Sequence, residues 1–157
     1  MVKRLLTIET SKCIGKLVRV CGWVQTIRAH GKILFIDLRD KSGLVQIVFS
    51  PNPKLKVKNE KLKVYDLART LRPEWVVEVV GEVNKRPKGM KNPKIKTGGI
   101  EIQAESLEIF SQAKTLPFPI DTSGYEINEE KRLKYRYLDL RRERMRNVLG
   151  THFWRIS

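Results

Sequence analysis

Cysteine, histidine, acidic side chains and long apolar runs are all scarce in these 157 residues. Cys13 and Cys21 are the only cysteines, and His30 and His152 the only histidines. Neither cysteine has a second pair or a nearby histidine, and Cys21 falls inside an apparent strand. A disulfide framework and a zinc site are therefore not expected, and both thiols read as structural. No uncharged segment approaches the roughly 20 residues that a bilayer requires. The apolar run in the basic start MVKRLLTIET is too short for a signal peptide, so the expectation is a cytoplasmic protein with no membrane partner. No Ser, His and Asp set and no paired carboxylates fall at a recognisable site, so no catalytic residue is assigned, His152 included.

Acidic residues number seventeen against thirty-two Lys and Arg, a formal charge of +15. Such a field draws in polyanions, nucleic acid first, although ribosome-associated and membrane-surface proteins are basic too. With 41% hydrophobic residues the chain can fill one core and carry an appendage.

After a short helical stretch in IETSKCIGK, the segment KLVRVCGWVQTIRAH alternates, with Val18, Val20, Gly22 and Val24 opposite Arg19, Cys21, Trp23 and Gln25. This is a long first strand that Gly22 allows to bend or bulge, as a strand shared by two halves of a barrel must. HGK supplies a turn, ILFIDLRD a second strand, KSG a turn and LVQIVFS a third. Prolines then break the sheet, and Leu62, Tyr65, Leu67 and Leu71 predict a helix that runs into Arg72 and stops at Pro73. EWVVEVVGEVNKR and GGIEIQAESLEIF are strands four and five, joined by PKGMKNPKIKTG, a loop without an acidic residue. This order predicts a mainly β fold, a five-stranded OB barrel with one helix between strands three and four, over residues 1–111. Residues 112–128 read as a linker stiffened by prolines, and 129–157 as a helical segment in which Asn128 caps the first turn. Met145, Leu149, Phe153 and Ile156 form an apolar stripe on that segment, which implies self-association or a longer protein.

In the second strand, Leu34, Ile36 and Leu38 share one face while Phe35 lies in line with Asp37 and Arg39 on the other. An aromatic on a polar face suits stacking on an unpaired base, worth about 1–3 kcal/mol. Gln46 on the third strand offers donor and acceptor to a base edge, and Arg28 a planar guanidinium that pairs, stacks or holds phosphate. A loop or helix covering Phe35, with Gln46 merely facing water, accounts for the same pattern, and so does a solvated charged loop for Lys85 to Lys96.

The motifs CGWV, ILFIDLRDKSGLVQIVF, LPFPID and INEEKRLKYRYLDLRR, in that order, resemble the amino-terminal part of bacterial-type aspartyl-tRNA synthetases over nearly the whole chain. RLKYRYLDLRR is highly specific to that family, whereas GWV with FIDLRD is shared with asparaginyl and lysyl relatives. The resemblance implies a barrel that binds the anticodon loop of tRNA(Asp), with Phe35 stacking on the central base, Gln46 reading it, and Arg28 in contact with the same loop. It also implies anticodon-loop contacts from Arg72, Arg86 and Asn92, while Lys88, Lys91 and Lys94 are expected to meet phosphates. Ile27 and Asn84 depart from the family, many members of which carry arginine there. His30 resembles the relatives that also accept tRNA(Asn), where enzymes restricted to tRNA(Asp) often carry leucine. The parent enzyme is implied to be a homodimeric ligase that uses ATP and Mg2+. The arginines and glycine-rich segment of class II catalysis are absent here, so no aminoacylation by this chain alone is expected. A freestanding single-strand binder and a protein-interaction module stay open as alternatives.

Overall fold

Alternating side chains assemble the core of the computed structural model, which describes residues 2–51, 58–145 and 147–148. The strands are β1 (Arg4–Leu5), β2 (Leu17–His30), β3 (Ile33–Arg39), β4 (Leu44–Phe49), β5 (Val76–Lys85) and β6 (Ile100–Ser111). From β2 come Val18, Val20 and Val24, from β3 Leu34, Ile36 and Leu38, from β4 Val45, Ile47 and Phe49, all buried in one cluster. β5 adds Val77, Val79 and Val83, and β6 adds Ile100, Ile102, Ala104 and Leu107. Full burial of each Val, Leu, Ile or Phe is worth about 1.5–3 kcal/mol. A one-residue slip would turn a strand's whole set outward, so the register is fixed by the interior.

The sheet runs β1-β2-β3-β4-β6-β5, and β5 pairs back onto β2 to close a ring of five strands. β2 serves both halves: Leu17 to Trp23 lie opposite β5, and Trp23 to His30 opposite β3. The changeover differs from the expectation. The register shift lies between Val24 and Thr26, leaving Gln25 as the extra residue. Gly22 instead permits close approach, since a Cβ there would collide with the Arg39 carbonyl. β4 pairs with β6 in parallel, at Ile47 with Ile102 and Val48 with Gln103. The two-residue β1, which the sequence pattern did not reveal, lies parallel to Arg19 and Val20 of β2.

The first helix, α1 (Lys58–Thr70), packs against β3, β4 and β6. Its inner side differs from the predicted one: Ala68 is buried with Leu71 just beyond the helix, and Val64 and Tyr65 are partly buried, whereas Leu62 and Leu67 are exposed. A 3-10 turn at Thr7–Lys12 is held to the β3–β4 turn by Asp40, which accepts from the Thr7 amide at 2.7 Å and its hydroxyl at 2.8 Å.

The chain divides into two compact units, residues 1–115 and 116–157. In the second, Asn128 caps α2 (Glu129–Lys134) by accepting from the Glu130 amide at 2.8 Å, and α3 follows at Arg136–Asp139. Tyr135 interrupts what the sequence read as one helical run. The signature KYRYLDLRR acts here as scaffold: Leu138 packs with Phe118 and Ile120, and the fully buried Arg142 binds Asp139 at 2.8 Å and the Thr122 carbonyl at 2.8 Å. Gly124 has a φ of 84° and lies so close to that guanidinium that a Cβ would strike it. Of the predicted stripe, Leu149, Phe153 and Ile156 lie outside the described residues, as does His152.

Candidate nucleic-acid interface

Pairing puts Arg28 of β2 opposite Phe35 of β3, and Phe35 opposite Val48 of β4. One step along, Thr26, Asp37 and Gln46 form a second row on the same outward face. The Phe35 ring is half-buried, neither sealed within the core nor fully exposed. Gln46 is only 8% exposed and does not simply face water. Its Oε1 accepts from Arg28 at 3.4 Å and its Nε2 donates to Glu101 Oε2 at 3.1 Å. A guanidinium only donates and a carboxylate only accepts, so these two neighbours dictate which end of the amide points where.

Arg28 is anchored in turn. Its terminal nitrogen donates to both Asp37 oxygens at 2.9 Å, and Asp37 also accepts from the Thr26 hydroxyl at 2.6 Å. The Arg28 side chain remains 56% exposed, leaving further N–H groups available to solvent or ligand.

Arg86 behaves differently from the other candidates. It is 8% exposed, and its Nε donates to the Ile100 carbonyl at 2.9 Å. Burial lowers its pKa from the usual guanidinium value, opposed by the charges of Glu101 and Asp37. Burial also raises the Glu101 carboxyl above its ordinary range, opposed by Arg86 and by the Gln46 hydrogen bond. Glu101 was missed in the sequence reading. Its signal was the alternation in IEIQA, which sets Glu101 and Gln103 on the polar face of β6, where Gln103 donates to the Val48 carbonyl at 3.2 Å.

The β5–β6 loop leaves this face at Arg86, whose amide donates to the Gly99 carbonyl at 3.0 Å. The Asn92 amide donates to the Gly98 carbonyl at 3.0 Å, and the Asn92 side chain accepts from the Lys94 amide at 3.0 Å. The buried Thr97 hydroxyl ties the loop to the Leu44 carbonyl at the start of β4. The half-buried Asn92 is thus partly engaged in shaping the loop, while Lys88, Lys91 and Lys94 stand exposed upon it.

The other candidates lie elsewhere. Arg72, just past α1, is exposed and donates to the Thr70 and Leu71 carbonyls at 3.3 and 2.9 Å, capping the helix end. His30 is exposed at the end of β2, beside a turn in which Gly31 takes a φ of 58°. Ile27 packs against the core, and Asn84 lies opposite Glu101 in the β5–β6 ladder. The structure therefore brings Arg28, Phe35, Gln46 and Arg86 together around Asp37 and Glu101, and leaves Arg72 outside that set. Among the described residues no group of three or more His, Cys, Asp or Glu is placed to hold a metal ion, and no helix is long and apolar enough to cross a membrane.

Known proteins share the fold of this chain. The chain is similar to the aspartate–tRNA(Asp/Asn) ligase of Dictyoglomus turgidum, at 51% identity over 148 residues, 94% of this chain and 24% of that one. It is similar to the aspartate–tRNA ligase of Bacillus licheniformis at 47% identity over 140 residues, 89% and 22% of the two chains. The chain thus spans about a quarter of the length of the relatives it matches. Among solved structures, the asparaginyl-tRNA synthetase of Pyrococcus horikoshii superposes with a TM-score of 0.66 at 29% identity, over 90% of this chain and 30% of that one. A family profile for tRNA anticodon recognition, described as an OB-fold nucleic acid binding domain, matches residues 18–110, and the chain belongs to that family.

Proposed function

We propose that this chain recognises the anticodon of tRNA(Asp) as the front portion of an aspartate–tRNA ligase. The observation that carries the proposal is the juxtaposition of a half-open Phe35 ring with a Gln46 amide whose orientation is dictated by Arg28 and Glu101. An unpaired uracil offers a ring face for Phe35 and an N–H flanked by carbonyl oxygens for an amide edge. Arg28 and Asn92 contribute contacts in the same loop, Lys88, Lys91 and Lys94 meet phosphates, and the charge of Arg86 offsets that of Glu101. Arg72 would contribute a more distant contact.

In this proposal residues 1–111 are the anticodon-binding domain, 112–128 the hinge, and 129–157 the start of a catalytic domain. Aspartate activation with ATP and Mg2+ belongs to the complete enzyme, a cytoplasmic homodimer. The donor residues described here do not fit a metal site, and no step of that chemistry is assigned to them. His30 extends the substrate range to tRNA(Asn), whose anticodon differs in its last base.

The test is binding of labelled anticodon stem-loops by this chain. A tRNA(Asp) loop should bind more tightly than one with its central base replaced, and equal binding of unrelated oligonucleotides would overturn the assignment. Aspartylation of both tRNAs by the complete enzyme tests the wider range, which exclusive charging of tRNA(Asp) would remove.

A further inference from the structure

The β5–β6 loop is built more tightly than its row of exposed lysines suggests. Beyond the last ladder pair, Lys85 with Ile100, the Arg86 amide donates to the Gly99 carbonyl at 3.0 Å. Farther out the Asn92 amide donates to the Gly98 carbonyl, also at 3.0 Å, and closes the loop a second time. This clasp divides the segment into two lobes, residues 87–91 and 93–97. In the first, the Met90 amide donates to the Pro87 carbonyl at 3.1 Å across a turn in which Gly89 has a φ of 85°. In the second, the Asn92 side chain accepts from the Lys94 amide at 3.0 Å and the Gly98 amide donates to the Ile95 carbonyl at 2.9 Å. The buried Thr97 hydroxyl ties this lobe to the Leu44 carbonyl. Lys88 and Lys91 stand exposed on the first lobe, Lys94 and Lys96 on the second.

The two glycines that end the loop are not equivalent. A Cβ on the buried Gly98 would collide with the Asn92 carbonyl and lie 2.9 Å from the Ile95 oxygen, whereas a Cβ on Gly99 would meet nothing within 4 Å. Neither glycine has a left-handed φ. The demand at Gly98 is therefore for space, and it is the clasp that makes it.

We propose that Gly98 is a positioning residue whose missing side chain lets the Asn92–Gly98 clasp close, so that both lysine pairs are held ready for RNA phosphates before RNA arrives, with Lys96 as a further phosphate contact. This role rests on the anticodon proposal, from which it takes the loop as a phosphate-binding element. A loop already ordered in the free chain gives up less conformational entropy on binding, and more of each contact appears as affinity. Loosening the clasp weakens binding without removing a contact from the complex.

The experiment titrates the whole chain into a labelled tRNA(Asp) anticodon stem-loop and, separately, a labelled oligouridylate, over a series of salt concentrations. Gly98→Ala should weaken both RNAs about tenfold, the scale of ordering one residue, with the salt slope and the preference between the two RNAs unchanged. Gly99→Ala, the same chemical change one position on, should bind as the parent does. Lys96→Ala should lower the slope by about one. Once Lys88, Lys91, Lys94 and Lys96 are all alanine, adding Gly98→Ala should cost about twofold at most, because the groups it positions are gone. Parental affinity in Gly98→Ala, an equal loss in Gly99→Ala, or a loss fully additive with the lysine changes overturns the proposal. So does a slope that falls together with the affinity of Gly98→Ala, which would mean lost contacts, or a slope untouched by Lys96→Ala. Should Gly98→Ala fail to fold, hydrogen exchange of the free parent chain decides: a protected Asn92 amide is expected, and exchange at the unprotected rate overturns a preformed clasp. Equal binding of both RNAs by the parent would fail the anticodon reading alone, since the effect of Gly98→Ala is read on each RNA separately.

Discussion

Replacing Phe35 by alanine separates binding from folding more cleanly than any other change on this surface. Its ring is only half-buried and stands outside the core cluster. Halving the value of a fully buried Phe puts the stability cost on the order of 1 kcal/mol. A stacked base, by contrast, is worth about 1–3 kcal/mol, which corresponds to roughly a 5- to 150-fold loss of affinity. Anisotropy with a labelled tRNA(Asp) anticodon stem-loop measures the second quantity, and thermal unfolding by circular dichroism the first. A second arm removes the base instead of the ring: with an abasic nucleotide at the central position, Phe35→Ala should cost almost nothing further, because the stacking partner is already gone. Undiminished affinity in a folded Phe35→Ala chain, or an effect fully additive with the abasic loop, would refute the stacking argument.

Gln46→Ala should reduce discrimination between uracil and other central bases more than it reduces overall affinity, measured as the ratio of dissociation constants for matched and mismatched loops. Alanine at Lys88, Lys91 and Lys94 should weaken all RNA ligands alike and flatten the dependence of log affinity on log salt, the slope falling by about one for each lysine withdrawn from a phosphate. Because burial raises the Glu101 carboxyl, its ionisation opposes folding. That part of the stability is present below the ordinary glutamate value and lost as pH rises through the raised one. The unfolding midpoint of Glu101→Gln should therefore climb relative to the parent chain as the pH rises from about 4, the ordinary glutamate value. Arg86→Ala should lower stability on the order of 2 kcal/mol by removing the Ile100 hydrogen bond and the charge beside Glu101, and adding Glu101→Gln should restore part of it. An Arg86→Ala chain that melts normally but loses RNA affinity would instead make Arg86 a direct contact.

What the sequence made legible followed from period-two alternation, because inward positions must be apolar while outward ones need not be. The five barrel strands, and the outward placement of Phe35, came directly from that rule, whereas the common face of Phe35 and Gln46 emerges from the strand pairing. Local irregularities were hidden, since they arise from backbone packing between distant segments. Gly22 looked like a bulge residue but is required by the Arg39 carbonyl, and the bulge falls at Gln25. The inner side of α1 was misjudged because Leu62 and Leu67 are as apolar as the residues that do pack, and only the barrel end decides between them. Glu101 escaped notice because its role depends on the parallel β4–β6 pairing, in which Val48 meets Gln103 across 55 positions of sequence.

Under the proposed function, the distribution of charge separates attraction from reading. Arg28 and Arg86 are balanced by Asp37 and Glu101, so the cluster that fixes the Gln46 amide carries no net charge in its ionised form. A polyanion gains little Coulomb energy from that cluster, and the ions within it are already committed to one another. The uncompensated cations stand instead on the β5–β6 loop, where Lys88, Lys91 and Lys94 are exposed and no acidic residue intervenes. A neutral cluster can discriminate by hydrogen-bond geometry because shifting its amide would break pairs on both sides. A cationic loop can attract any sequence because phosphate is common to all. With the two proposed roles on different segments, the loop would strengthen binding without degrading the choice of base, and Thr97, which ties the loop to the start of β4, holds the segments in one frame.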